Sequence, residues 1–483
     1  MAAGRPYHQA VVAALRGGSG KTVITLGITA ACRRRGLLVQ PFKKGPDYID
    51  SAWHTAAAGR ECRNLDTFML GTDATTRSFR RHAARADFAI VEGNRGLFDG
   101  LDARGTRSTA ELAKLIGAPV LLVVDCSKAT RTVAASVLGC QRLDPELVIA
   151  GVILNRMAGA RHERVIREAL RSACGLPVFG AIPGDAPLCL PERHLGLVPP
   201  QEYAPVERLI SQAAAVVEEH VDLEALMAAV QAPPPPAVAE DSPPREPKPA
   251  FRIGVVRDGA FQFYYPENIE ALRGEGAEVV ELSALDSRRL PALEGLYIGG
   301  GFPETHAEAL EANRSFAADL RAAVEDGLPI YAECAGLMYL GKKLTWRGKT
   351  YDMAGALPLS FVMEPRPHSH GYTVVRCDRA NPFFPQGTVL RGHEFHYSRP
   401  SDASCGGLET AFQVERGHGL NGQRDGALYR NVLCAYSHVH ALGCPEWAGG
   451  FARAALARNR QAARLPQEKR MGAGFPRKWS VAH

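Results

Sequence analysis

The 483-residue chain has no apolar run approaching the length needed to span a bilayer, and no secretory h-region follows Met1. No membrane role is expected, and a cytoplasmic location is. Its 11 cysteines are odd in number and include no CxxC pair. That argues against a disulfide framework and a structural zinc site, and fits a reducing compartment. One-signed charge is also scarce. The net charge of +6 is modest for this length, and part of it lies in the terminal tail, so no nucleic-acid partner is expected. No short-period repeat is visible.

What is present is a globular composition, 46% hydrophobic and 22% charged. The chain is too long for one ordinary core, so it divides into domains. Residues 1–230 alternate strand-like runs (Val11 to Leu15, Ala89 to Val91, Val120 to Val124, Val148 to Leu154) with helical stretches, the α/β pattern of helices covering a parallel sheet. Residues 231–250 are proline-rich and charged, with Ala232-Pro233-Pro234-Pro235-Pro236 and Pro247-Lys248-Pro249, and read as an extended linker. A new strand starts at Phe251, and the alternation is expected to continue through 251–460. Residues 461–483 form a basic tail, expected to be disordered.

Tyr331-Ala332-Glu333-Cys334-Ala335-Gly336-Leu337 follows an apolar strand-like run and opens a helix. Small residues after Cys334 allow a tight elbow, and the helix N-terminus is expected to lower the thiol pKa. Cys334 is a candidate nucleophile; the bland alternative is a core cysteine. Gly299-Gly300-Gly301 follows another strand-like run, where Gly300 and Gly301 can turn backbone NH groups toward an oxyanion, unless they form a plain surface turn. His438 follows Val432, Leu433 and Cys434, where it can take the thiol proton or be an ordinary core histidine. This order of glycine loop, Cys elbow and late His resembles the class I glutamine amidotransferases. The resemblance implies that Cys334 attacks the amide of glutamine, that His438 is the base, and that ammonia leaves. Many members carry an acid two residues after the His; His440 stands there in this chain, so the orienting group is open.

Arg16-Gly17-Gly18-Ser19-Gly20-Lys21-Thr22 lies between a strand and an apolar helix. Backbone NH groups around Gly18 and Gly20 would cradle phosphate, Lys21 would neutralise the outer phosphates, and Thr22 can hold Mg²⁺. Leu15 replaces the glycine of the strict pattern. Phe42-Lys43-Lys44-Gly45-Pro46-Asp47-Tyr48-Ile49-Asp50 suits anionic groups and a metal ion, or is a charged surface turn. Glu92, in Ile90-Val91-Glu92-Gly93-Asn94-Arg95-Gly96, ends a strand where open α/β sheets bind ligands, and is a Mg²⁺ partner.

Together with Asn64-Leu65-Asp66, Leu154-Asn155-Arg156, Leu190 to Leu197 and Gly392-His393-Glu394-Phe395-His396-Tyr397-Ser398, these stretches closely resemble the cobyrinic acid a,c-diamide synthase family. The resemblance implies a P-loop domain similar to dethiobiotin synthetase, fused to a class I amidotransferase domain. It also implies ATP and Mg²⁺ as cofactors, glutamine as nitrogen donor, and amidation of the a- and c-acetates of a tetrapyrrole polycarboxylate. Asp47 would then serve metal or substrate, Asn155 the adenine, and Lys43, Lys44 and Arg95 an anionic substrate. Where many family members read Glu-Gly-Val-Met-Gly, this chain has Glu92-Gly93-Asn94-Arg95-Gly96, so sirohydrochlorin or its nickel complex stands as an alternative acceptor. A homodimer is carried as the expected assembly. The rivals are a partitioning-type ATPase and a tetrapyrrole or metal carrier using His368, His370, His393, His396, His438 and His440.

Overall fold

The computed structural model describes residues 6–186, 190, 192–193, 196–236, 247–402 and 405–464. Half of the expected linker (237–246), most of the basic tail (465–483) and part of the Leu190 to Leu197 stretch lie outside them. The chain forms two compact units, Met1–Asp241 and Ser242–His483.

The first unit is built on seven strands, β1 (His8–Ala14), β2 (Val39–Lys44), β3 (Arg63–Leu65), β4 (Phe88–Glu92), β5 (Val120–Asp125), β6 (Ile149–Met157) and β7 (Val178–Pro183). They lie side by side in the order β3-β2-β4-β1-β5-β6-β7 with every pairing parallel. All seven residues of β1 are buried. Successive side chains of a strand point to opposite faces. Val11 and Ala13 accordingly enter one apolar cluster, and Ala10, Val12 and Ala14 the other. Both faces are covered, which is why β1 reads as an unbroken apolar run.

The phosphate-loop sequence leaves the C-terminal end of β1 and enters helix α1 (Lys21–Arg34). Because β1 lies between β4 and β5, crossovers diverge to either side of it, opening a crevice at the strand ends. The stretch around Lys43 is not a surface turn. Lys43 and Lys44 end β2 and are 2% and 8% exposed, and Asp50 opens a second helix, α2 (Ile49–Ala58), two residues in.

The second unit has a nine-stranded sheet. Five parallel neighbours come first, in the order Ala277–Leu282, Phe251–Val256, Gly295–Ile298, Ile330–Glu333 and Val432–Ala435. Four antiparallel strands extend it: Arg424–Tyr429, Glu409–Arg416, Ser369–Cys377 and Val389–His396. The expected helix–strand alternation therefore stops at Leu340. From Lys343 to Tyr429 the described residues form strands and no α-helix. The physical reason is the alternation of residues such as Tyr372, Val374 and Arg376 (half-buried or exposed) with Thr373, Val375 and Cys377 (buried), a half-solvated pattern that suits antiparallel pairing. Helix Glu446–Arg464 takes in the first residues of the segment expected as a tail.

Candidate functional site

In the first unit the crevice is a cleft of about 430 Å³, lined by Gly18, Gly20, Lys21, Thr22, Lys43, Asp50, Glu92, Arg95, Asn155 and Arg156 among others. Gly20 adopts φ +90°, a left-handed conformation that side chains disfavour, and a Cβ there would collide with the Asn155 amide. Asn155 Nδ2 donates to the carbonyl of Ser19 at 2.9 Å, so the end of β6 braces the loop. Lys21 Nζ donates to the Arg95 carbonyl at 2.7 Å.

Glu92 is the hub. Its Oε1 accepts from Thr22 Oγ1 at 2.7 Å and lies 3.0 Å from Lys43 Nζ, and its Oε2 contacts His54 Nε2. Burial opposes ionisation of Glu92, but Lys43, together with the hydrogen bonds from His54 and Thr22, outweighs it and holds the carboxyl well below the usual carboxylate range. Burial likewise works against the Lys43 ammonium, and Asp50, Glu92 and Asp47 overcome it to keep the group charged. Lys43 Nζ is 2.6 Å from Asp50 Oδ2 and 3.8 Å from Asp47 Oδ2.

Of the expected residues, Gly18, Gly20, Lys21, Thr22, Lys43, Glu92, Arg95 and Asn155 meet at this cleft. Lys44 does not line it: it alternates away from Lys43 along β2, among Asp66, Arg95 and Glu111. Asp47 is placed beside the cleft rather than in its lining, and its Oδ1 accepts from the Asp50 amide at 2.9 Å where α2 begins. Two participants, His54 and Asp125, were not singled out from sequence, and Asp50 was read only as part of the charged Lys43 stretch. Asp50 and His54 both come from α2, and their spacing on one helical face was the available signal. Asp125, at the end of β5, binds Arg156 at 2.7 Å and Arg16 at 3.0 Å, tying the phosphate loop to β6.

In the second unit Cys334 stands at φ +47° between strand Ile330–Glu333 and helix Ala335–Leu340. Its amide donates to the Ala435 carbonyl at 2.8 Å. Since Glu333 is in register with Ala435 on the neighbouring parallel strand, Cys334 and His438 emerge from adjacent strands at the same sheet end. A Cβ at Gly300 would come within 2.5 Å of His438 Cε1, so the glycine gives the imidazole its room. Gly301 pairs with Phe261 in a short antiparallel ladder and turns at φ +157°.

The surroundings of Cys334 oppose the expected lowering of its thiol pKa. The thiol is 4% exposed, the helix after it is only 6 residues long, and burial, reinforced by the Glu304, Glu333 and Glu394 carboxylates, pushes its pKa far up; the Ala335 amide offsets this only in part. The resting group is a neutral thiol that needs a base.

His438 Nδ1 lies 3.4 Å from Glu333 Oε2. His440 instead lies 3.5 Å from Glu267 and packs on the Tyr265 ring. The remaining four are engaged locally: His368 with His418, His370 with Phe395, His396 with Glu394, and His393 with Tyr265. Among the described residues no group of three or more His, Cys, Asp or Glu side chains is arranged to hold a metal ion. No helix among them is long and apolar enough to cross a membrane.

Residues 10–198 match the CobQ/CobB/MinD/ParA nucleotide binding domain, and residues 252–445 match the CobB/CobQ-like glutamine amidotransferase domain. Across both units the chain is 48% identical to the cobyrinate a,c-diamide synthase of Magnetococcus marinus, over 93% of this chain and 97% of that protein. The chain belongs to the cobyrinate a,c-diamide synthase family. Further members resemble it over similar spans: that of Archaeoglobus fulgidus is 42% identical, over 92% of this chain and 97% of the relative, and that of Listeria monocytogenes 40%, over 90% and 96%. As a member of this family the chain is a glutamine-dependent, amide-forming ligase whose nucleotide-binding domain contains the Glu92 cleft and whose amidotransferase domain contains the Cys334 elbow.

Proposed function

We infer that this chain converts cobyrinic acid to cobyrinic acid a,c-diamide, using ATP and glutamine. The observation that carries the reading is 40–48% identity to cobyrinate a,c-diamide synthases across both domains at once. A partitioning ATPase would not require an amidotransferase domain. The sirohydrochlorin alternative rests only on Asn94 and Arg95, and the relatives do not favour it.

A carboxylate offers no leaving group. In the first unit ATP transfers its γ-phosphoryl group to an acetate oxygen, releasing ADP; ammonia then attacks the acyl carbon and phosphate departs, leaving an amide. The cycle runs once on each acetate. Lys21 neutralises charge on the transferred group, and the amides around Gly18 and Gly20 hold the phosphates. Asn155, which braces the loop, is assigned to the adenine side. Thr22 and Glu92, whose oxygens adjoin at 2.7 Å, would hold Mg²⁺, which would neutralise charge on the phosphates; Asp47 is assigned a metal or substrate role beside them. Lys43 and Arg95 line the cleft and are assigned to the anionic macrocycle.

In the second unit Cys334 Sγ attacks the glutamine amide carbon as His438 takes the thiol proton. His438 then passes that proton to the leaving nitrogen, ammonia departs, and water cleaves the thioester to glutamate. Amides at Gly300 and Gly301 stabilise the oxyanion. A cytoplasmic location suits this chemistry, and sedimentation of the full chain measures whether the expected homodimer forms.

The test is mass analysis of products after incubation with ATP, Mg²⁺ and glutamine. Two carboxylate-to-amide changes are expected on cobyrinic acid. Their absence there, with amidation of sirohydrochlorin or its nickel complex, would overturn the acceptor. Cys334→Ala should abolish amidation driven by glutamine and keep amidation driven by ammonia.

A further inference from the structure

We propose that Glu333, the residue immediately before the nucleophile, is the positioning acid of the Cys334–His438 pair. This rests on the glutaminase reading above and names the group that reading left open. Glu333 is fully buried at the end of its strand. Its Oε2 is 3.4 Å from His438 Nδ1 and accepts from the Tyr297 hydroxyl at 2.9 Å, while its Oε1 accepts from the Val439 amide at 3.0 Å. One carboxylate thus touches the ring and also pins the backbone next to it.

The position two residues after His438 contributes no acid, because His440 turns to Glu267 and Tyr265. The acid arrives instead from the nucleophile's own strand. Strand geometry permits this: Glu333 is in register with Ala435 and the chain turns sharply at Cys334, so the residue just before the nucleophile presents its carboxylate to the loop carrying His438. His393 stacks on the His438 ring at 4.8 Å, and burial beside His438 holds its pKa well below that of a free imidazole. Tyr297, Tyr264 and Tyr331 surround Glu333, and Glu304 and Glu394 face Cys334. Among these groups Glu333 is the one whose carboxylate is placed 3.4 Å from the His438 ring nitrogen.

A carboxylate accepting a hydrogen bond from Nδ1–H leaves His438 Nε2 bare to take the thiol proton, and then stabilises the imidazolium. A neutral, buried thiol makes that support necessary. In Glu333→Gln the amide NH₂ can turn toward Nδ1 and favour the opposite tautomer, which leaves no acceptor for the thiol proton.

The experiment is glutamine hydrolysis by the full chain and its Glu333→Gln and Glu333→Asp variants, with thermal melts. Glu333→Gln is expected to lower kcat about 100-fold, to leave KM for glutamine within about twofold, and to move the histidine-controlled limb of the pH profile to lower pH. Glu333→Asp, which keeps the charge on a shorter arm, should recover part of kcat. A purely structural role would lower the melting temperature without moving the pH profile. If the Gln variant does not fold, ¹⁵N-imidazole spectra of the unsubstituted protein decide: an Nδ1–H tautomer for His438 supports the proposal and an Nε2–H tautomer overturns it. An unchanged kcat and pH profile in Glu333→Gln would overturn it as well. Glutaminase activity surviving Cys334→Ala would instead overturn the underlying reading.

Discussion

The Thr22 hydroxyl donates to Glu92 Oε1 at 2.7 Å, joining the phosphate loop to the end of β4. The same oxygen lies 3.0 Å from Lys43 Nζ, so one carboxylate organises three segments. Glu92→Gln should lower ammonia-driven, ATP-dependent amidation by about 10²–10³-fold while glutamine hydrolysis continues. Steady-state rates with each nitrogen source check this.

Gly18 and Gly20 should respond differently to alanine. Both have positive φ, but a Cβ at Gly18 meets nothing within 4 Å, whereas one at Gly20 runs into Asn155. Gly18→Ala should carry only the backbone cost of about 1–2 kcal/mol. Gly20→Ala should in addition displace the Asn155 brace and weaken ATP binding by at least about tenfold. Calorimetric titration with a non-hydrolysable ATP analogue distinguishes the two.

Gly300→Ala should act on the base rather than on the glycine's own backbone, because the new methyl group would come within 2.5 Å of His438 Cε1. Glutamine hydrolysis should fall about 10²-fold or more, with ammonia-driven amidation unaffected. Parallel assays of the two activities show whether the damage stays in the second unit.

These effects also measure how much of the site was legible in the sequence. The Cys334 elbow was legible because an apolar strand, small turn residues and a following helix are contiguous. The phosphate loop was legible for the same reason. Glu333 stood in the elbow stretch itself, yet its role depends on the pairing of Ile330–Glu333 with Val432–Ala435, a long-range contact that no local pattern encodes. Lys43 and Lys44 looked equivalent until the alternation of β2 separated them. His54 was hidden because Asp50 had been read with the charged Lys43 stretch and not as the opening of a helix, so its partner one turn on was not sought. The antiparallel half of the second sheet was missed because its short, half-solvated strands carry a weaker signal than the buried parallel runs.

Glu394 sets the acid stability of the second unit. Its Oε1 accepts from Ser369 Oγ at 2.7 Å, its Oε2 accepts from the Gly419 amide at 2.9 Å, and His396 Nε2 is 3.4 Å away. Burial opposes ionisation, but these partners, His396 first, bring its pKa down from 4.5 to about 2. A depressed carboxylate contributes stability that is full above its unfolded pKa and lost as pH falls toward the folded value. That shift corresponds to about 3 kcal/mol. Glu394→Gln should lose this amount at pH 7, and the difference from the unsubstituted chain should shrink as pH falls below 4.5. Urea unfolding at pH 7 and at pH 4 measures it.

The neutrality of Cys334 reaches beyond catalysis. Peroxides oxidise thiolates, and a thiol kept protonated and out of solvent reacts slowly along the path to sulfenic and sulfinic acids. By making its nucleophile only when a base removes the proton, the glutaminase half is spared the oxidative wear that a standing thiolate would invite, and its working lifetime under oxidant stress should exceed that of enzymes with a preformed thiolate.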